Sequence, residues 1–371
     1  VSGARATRPV RVAPSRARRP GAASPRLPEP LPPPLAMDAG LVLLLTEAEA
    51  ALAGLSAAGV AADTALFAPA CAALEALHSC RLAGLEVGLA DLYQAQVGAL
   101  ARDDPRAAAG VTLWRTAIAF QRGFARVRHH PFDLALVDVV RDWLREGEAG
   151  DAALAEAAIA PALDLSPAQR IALEAWAHFA VDDRVWMPPL IRCALLQAHL
   201  EALALPDGRE GRLARVLAPV YLAARRQLAV PVWFVSAYWQ AHRARYRSRL
   251  RQALRDGVWE PWLEFFLLGV RGAARSALIH LHDLARHRAG LLREVRGIAN
   301  APLLVDALFI NPCTTAARAA QAIGRTLPTA NVLLQALEEQ GVLHEITGRR
   351  RHRVYLAPRV LNALQRLPPM A

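Results

Sequence analysis

The sequence predicts a mainly α-helical protein that ends in a small winged helix-turn-helix domain. From Leu41 to about Arg296, apolar residues recur at three- and four-residue spacing and β-branched alternation is scarce, which is the pattern of stacked amphipathic helices. Beyond about Asn300 the pattern changes to three short helices and two strand-like segments around a basic loop. The chain has 371 residues, 54% of them hydrophobic, enough apolar surface for real cores, and this excludes disorder over most of its length.

The first element is a tail. Residues 1–36 hold seven arginines against Glu29 alone, +6 of the formal +11, in a Pro-rich stretch without periodicity. Residues 1–26 are therefore expected to be disordered. The tail has no apolar segment of the kind a secretory signal needs. Met37 is the first methionine, so the tail is also a candidate for sequence upstream of the true translation start. The chain has no lysine, and all 44 of its strong cations are arginines. The basic balance therefore reads first as the bias of a GC-rich genome.

In the helical body, breaks are expected at Ala58–Gly59, Asp103–Pro105, His130–Pro131, Gly147–Asp151, Asp182–Pro189 and Pro206–Gly208. Thr46, Glu47 and Glu49 interrupt the most apolar stretch, so no membrane span is expected. Trp233, Trp239, Trp259, Trp262, Phe265 and Phe266 read as core anchors. Cys71, Cys80, Cys193 and Cys313 have no metal-ligand spacing and read as buried reduced thiols, consistent with a cytoplasmic compartment.

At the C-terminus, Ala301–Asn311 and Thr315–Ile323 read as helices, and Thr326 is placed to cap a third that runs to Gln340 and stops at Gly341. Val342–Glu345 and Arg353–Leu356 read as two strands flanking the basic loop 347–352. Such a module can place Thr329, Asn331 and Gln335 against bases while Arg349, Arg350, Arg351 and Arg353 hold phosphates. DNA is thus a candidate partner. A docking or dimerisation domain is the alternative.

Several stretches together resemble the Fic (Fido-fold) family, which are mostly protein adenylyltransferases. The segment Leu27-Pro28-Glu29-Pro30-Leu31-Pro32-Pro33-Pro34 before an Ala- and Leu-rich helix is similar to the family's N-terminal region. Glu75-Ala76-Leu77-His78-Ser79-Cys80-Arg81-Leu82-Ala83-Gly84 resembles its inhibitory helix. Residues 188–222, then 236–239 and 243–246, resemble its core helices, and the C-terminal ITGRRRHRVY resembles the winged helix of many members. The resemblance implies a Fido-fold helical domain followed by the winged helix. Its divisions are the tail at 1–26, an N-terminal helical region at 27–96 with a degenerate inhibitory motif, a Fic core at 97–300 and a winged helix at 301–371.

In the family, a histidine takes the proton of a target hydroxyl, an acidic residue holds Mg²⁺, and an asparagine and two arginines orient the polyphosphate of ATP at a helix N-terminus. The gapless register puts Ala204 at the histidine, Leu205-Pro206 at the Pro-Phe, Gly208 at the acid, and Arg209-Glu210 at the Gly-Asn. Gly211, Arg212 and Arg215 are kept as the nucleotide-binding remnant, and Ala214 replaces the last glycine. A shift by one restores an acid at Asp207 but brings Leu203 to the histidine, so neither register has a general base, whose loss typically costs 10²- to 10⁴-fold. Glu210 would repel a phosphate about 4 Å away by roughly 4 kcal/mol at an effective dielectric near 20. The inhibitory glutamate is Ala83, which removes the family's partner for Arg215. His130-Pro131-Phe132 reads as coincidence and His199 as an ordinary helix histidine; residues 151–167 lack the family's substrate-flap pattern.

The resemblance therefore implies a catalytically impaired relative of the AMP-transferring enzymes, acting as a regulatory or DNA-binding pseudoenzyme, with weak ATP binding, doubtful Mg²⁺, an unidentified protein target and a homodimer as further candidates. The alternatives are a transferase acting on protein hydroxyls through a non-standard motif built on Asp207 or Glu210, and a purely structural partner.

Overall fold

The computed structural model describes residues 31–61, 64–101, 103–145, 166–203 and 211–370. In chain order the helical body comprises α1 (Ala39–Ala61), α2 (Thr64–Leu82), α3 (Leu89–Gln96), α4 (Pro105–Arg126), α5 (Leu134–Arg145), α6 (Pro167–Val181), α7 (Pro189–Ala202), α8 (Arg212–Ala224), α9 (Val235–Ala241), α10 (Arg243–Asp256) and α11 (Glu260–Glu294). The C-terminal module follows with α12 (Ala301–Ile310), β1 (Cys313–Thr315), α13 (Ala316–Ile323), α14 (Leu327–Glu339), β2 (His344–Glu345), β3 (Val354–Leu356) and α15 (Pro358–Gln365).

Several helices start where the sequence supplies caps. Asp104 accepts from the Arg106 amide at 2.9 Å with Pro105 in the first turn, so an otherwise unpaired amide is satisfied and the missing proline N–H costs nothing. Ser166 and Gln169 form a reciprocal capping box at α6. One expected break is overturned: α1 runs straight through Ala58–Gly59. Glycine is needed there for close approach, since a Cβ at Gly59 would lie 2.6 Å from the Val230 side chain. Two other expected breaks, Gly147–Asp151 and Pro206–Gly208, lie outside the described residues, as does the 1–26 tail.

Packing is organised around α2 and the 35-residue α11. Helix α1 lies along α11 through Leu41, Leu45, Ala48, Leu52 and Leu55. Glu47 of α1 pairs with Arg271 of α11. Among the described residues Ala39–Gly59 is one helix long and apolar enough by length and composition to cross a membrane, with Thr46, Glu47 and Glu49 within it, and here it lies against α11. Trp239, Trp259, Trp262, Phe265 and Phe266 are fully buried, and Trp262 donates its indole N–H to the Ala194 carbonyl at 3.0 Å. All four cysteines are buried free thiols, and burial pushes Cys71 and Cys313 up to about 12.

In the C-terminal module the expected two-stranded hairpin is a three-stranded antiparallel sheet in the order β1-β3-β2. Cys313, Thr314 and Thr315 pair with Leu356, Tyr355 and Val354. Thr315 is therefore extended rather than helical, and its hydroxyl caps α13 by accepting from the Arg318 amide at 3.3 Å. Helix α12 packs on α2 and α11, and α15 on α2, α3 and α11, so the module is docked on the body, while α14 packs on α13 and turns its other face outward.

Candidate functional site

The kept residues Gly211, Arg212 and Arg215 meet at the start of α8. Gly211 is its N-cap with φ +80°, a left-handed conformation that glycine adopts without strain. A helix N-terminus of this kind presents unpaired amides and the positive end of the helix dipole, and it attracts an anion.

The anion here is the chain's own. A Cβ built on Gly211 would lie 2.7 Å from Cδ of Glu201 and 2.6 Å from Nη1 of Arg215, so the Glu201 carboxylate is packed against the α8 N-cap. Arg215 is 2% exposed and pairs with Glu201 Oε1 at 3.4 Å. It also donates from Nε to the Ser79 hydroxyl at 2.9 Å and from Nη2 to the Ser79 carbonyl at 3.1 Å. Glu201 further accepts from the Tyr246 hydroxyl, which receives a hydrogen bond from Gln197 at 3.2 Å. Burial pushes the Glu201 carboxyl above the usual range, and the Arg215 guanidinium pulls against that shift. Arg212 is also buried and donates to the Thr116 hydroxyl at 3.4 Å.

Ser79 on α2, within the segment 75–84, lies beside the site and holds Arg215. Ala83, just past α2, brings no charge to it, and its amide donates to the Ser79 carbonyl at 3.1 Å. The carboxylate opposite Arg215 comes from α7. Glu201 escaped the sequence reading because a lone acid in an apolar helix forms no motif. The available signal was that it is the single carboxylate between Asp183 and Asp207.

Ala204, Asp207, Gly208, Arg209 and Glu210 lie outside the described residues. His199 is buried with its ring stacked on Trp259 at 5.0 Å and Nδ1 donating to the Leu195 carbonyl at 2.9 Å. Phe132 of the upstream His-Pro-Phe is a core residue against Trp176 and Tyr221. In the described half of the site both arginines are buried and engaged, and a carboxylate stands at the helix N-terminus.

Glu75, also on α2, is buried and accepts from the Ser236 amide at the start of α9 at 3.2 Å. Burial raises its carboxyl to about 8, against the hydrogen bonds from Ser236 and the charge of Arg215.

The second candidate region is the outward face of the C-terminal module. Thr329, Asn331 and Gln335 are exposed on α14, with Gln335 donating to Glu339 at 3.2 Å. Glu345 organises the β2–β3 turn by accepting from the amides of Thr347 and Gly348, both at 2.8 Å. Arg349, Arg350, Arg351 and Arg353 are exposed beyond it, and none forms an ion pair among the described residues. Leu327 and Val332 are also exposed on α14, at 53% and 70%.

No protein-family model matches the sequence. Among solved structures the chain is similar to a Fic family protein from Desulfovibrio desulfuricans, with a TM-score of 0.52 and 15% identity over 88% of this chain and 98% of that one. The helical architecture, the α2 segment set beside α8 and this likeness agree, and the chain has the Fic fold.

Proposed function

We propose that the protein is a regulatory Fic-fold protein that no longer transfers AMP and that acts through its C-terminal module, read as a winged helix that binds DNA. The observation that supports the loss of transfer is the Glu201 carboxylate packed against Gly211 and paired with Arg215. A phosphate entering there would meet a like charge, and displacing the carboxylate would leave it buried and unpaired, which is costly. With no histidine between His199 and His242, the chain also supplies no imidazole from the motif. Calorimetry with ATP and Mg²⁺ tests this. Wild type is expected to show weak or no binding, and Glu201→Gln to bind more tightly because the repulsion is gone. Tight wild-type binding, or binding unaltered by Glu201→Gln, rejects the closed site.

The DNA reading is supported by the exposed basic turn and by the outward face of α14. Guanidinium groups on the turn can clasp phosphates while Thr329, Asn331 and Gln335 face base edges. Leu327 and Val332 on the same helix favour a second reading, a protein-docking or dimerisation face. Selection from random duplexes at about 0.15 M salt separates the two. Enrichment of one sequence supports DNA recognition, and failure to enrich any leaves the docking reading.

A further inference from the structure

A cavity of about 540 Å³ lies in the seam between the helical body and the C-terminal module, away from the α8 site. Its walls come from α2, α3 and α4 on one side and from the end of α12 and α13 on the other. The volume falls within the roughly 300–1,000 Å³ of small-molecule sites.

Its chemistry is one-sided. Leu92, Tyr93, Val111, Trp114 and Ile118 give it an apolar and partly aromatic wall. Its polar groups are Gln96, Gln121, Asn311 and the guanidinium of Arg318, and no carboxylate lines it among the described residues. Arg318 gives one donor to the Gln96 carbonyl at 2.6 Å and forms no ion pair among the described residues. It is exposed at the rim, whereas Leu92 and Tyr93 are buried within. Tyr93 contributes to the wall while its hydroxyl is buried beside Cys71 and Cys313. Pro69 contributes to the wall from within α2.

We propose that this seam binds a small aromatic carboxylate, with its ring against Trp114 and Tyr93 and its carboxylate on Arg318. An apolar ring needs the wall, a single negative charge matches the single cation at the rim, and a charge-assisted hydrogen bond to guanidinium is the strong kind. Such a ligand touches both units. At this seam the Asn311 to Gln96 hydrogen bond at 2.8 Å and the Arg318 to Gln96 bond join the two units, beside the packing of α12 and α15 on the body and the Arg288–Asp306 and Arg359–Glu294 pairs, so occupancy adds to the docking of the module.

The test uses the full chain with 2-naphthoate and its neutral match 2-naphthamide, titrated by calorimetry and by quenching of the fluorescence that Trp114→Phe removes. Naphthoate is expected to bind one to one, at least tenfold more tightly than the amide, to quench Trp114 and to raise the melting temperature. Arg318→Gln is expected to abolish the preference for naphthoate while keeping amide binding, and Val111→Trp to weaken both by filling the cavity. Equal affinity of wild type for acid and amide, no binding of either at millimolar concentration, or binding that leaves Trp114 fluorescence and the Val111→Trp variant unaffected overturns the proposal. The wild-type comparison and the Trp114 signal decide the matter even if a variant folds poorly.

Discussion

Two arginine-rich regions of this molecule are built from the same side chain and do opposite things. At the start of α8, Arg212 and Arg215 are buried and bonded to Thr116, Ser79 and Glu201. At the β2–β3 turn, Arg349, Arg350 and Arg351 stand in solvent with no carboxylate paired to them among the described residues. A buried guanidinium must be paired to be tolerated, and once paired it is closed to a new anion. An exposed one retains its full charge for whatever anion approaches. Structural charge thus sits at the start of α8, and available charge on the β2–β3 turn.

The largest effect is expected from breaking the interior pair. Arg215→Leu leaves Glu201 buried without its cation and should cost about 3–5 kcal/mol, read as a lower urea midpoint. Arg215→Leu combined with Glu201→Leu should recover part of that loss. A cost under about 1 kcal/mol for the single variant, the level of an exposed ion pair, would show that the buried pair anchors nothing.

A smaller loss is expected from Gly211→Ala. Its φ of +80° is unfavourable for alanine, and the new Cβ would approach the Arg215 and Glu201 side chains at 2.6 and 2.7 Å. Strain of this kind costs about 1–3 kcal/mol, and thermal melts of the two proteins should show it.

The pH dependence comes next. The folded-state carboxyl of Glu75 is raised to about 8, whereas an unfolded one titrates near 4.5. Between these values the folded state binds the extra proton, so this group's contribution to stability falls as pH rises, by up to about 1.4 kcal/mol per unit. His280, lowered to about 4 by burial, acts in the opposite sense, its contribution being lost as pH falls below the usual 6.5. The Glu75 effect is therefore cleanest between about pH 6.5 and 8. Stability measured across that window should decline in wild type and be flatter in Glu75→Gln.

The smallest effect on stability is expected in the exposed region. Changing Arg349, Arg350 and Arg351 together to alanine should alter stability by no more than about 0.5 kcal/mol per site. Binding to every duplex should weaken, and the salt slope should fall by about 0.9 for each phosphate that is no longer neutralised. Asn331→Ala should instead relax sequence preference, seen by comparing selected and scrambled duplexes.

Much of the fold was legible because helix starts are written locally. Asp104-Pro105, at an expected break, supplies a cap that the backbone then uses. Gly59 misled because a glycine that permits helix contact looks the same in sequence as one that ends a helix. Strand β1 was hidden because three residues are too few to show alternation, and its partner lies about 40 residues away. The resemblance singled out Gly211, Arg212 and Arg215 but not Glu201, whose place beside them depends on α7 setting it against the first turn of α8, which only the tertiary structure shows.

The central claim, that the α8 anion site is filled by the chain's own carboxylate and performs no AMP transfer, is tested most directly by incubating the full protein and a cell lysate with labelled ATP and Mg²⁺. No label is expected on the protein or on any lysate component. Labelling that disappears in an Arg212→Ala variant would contradict the claim.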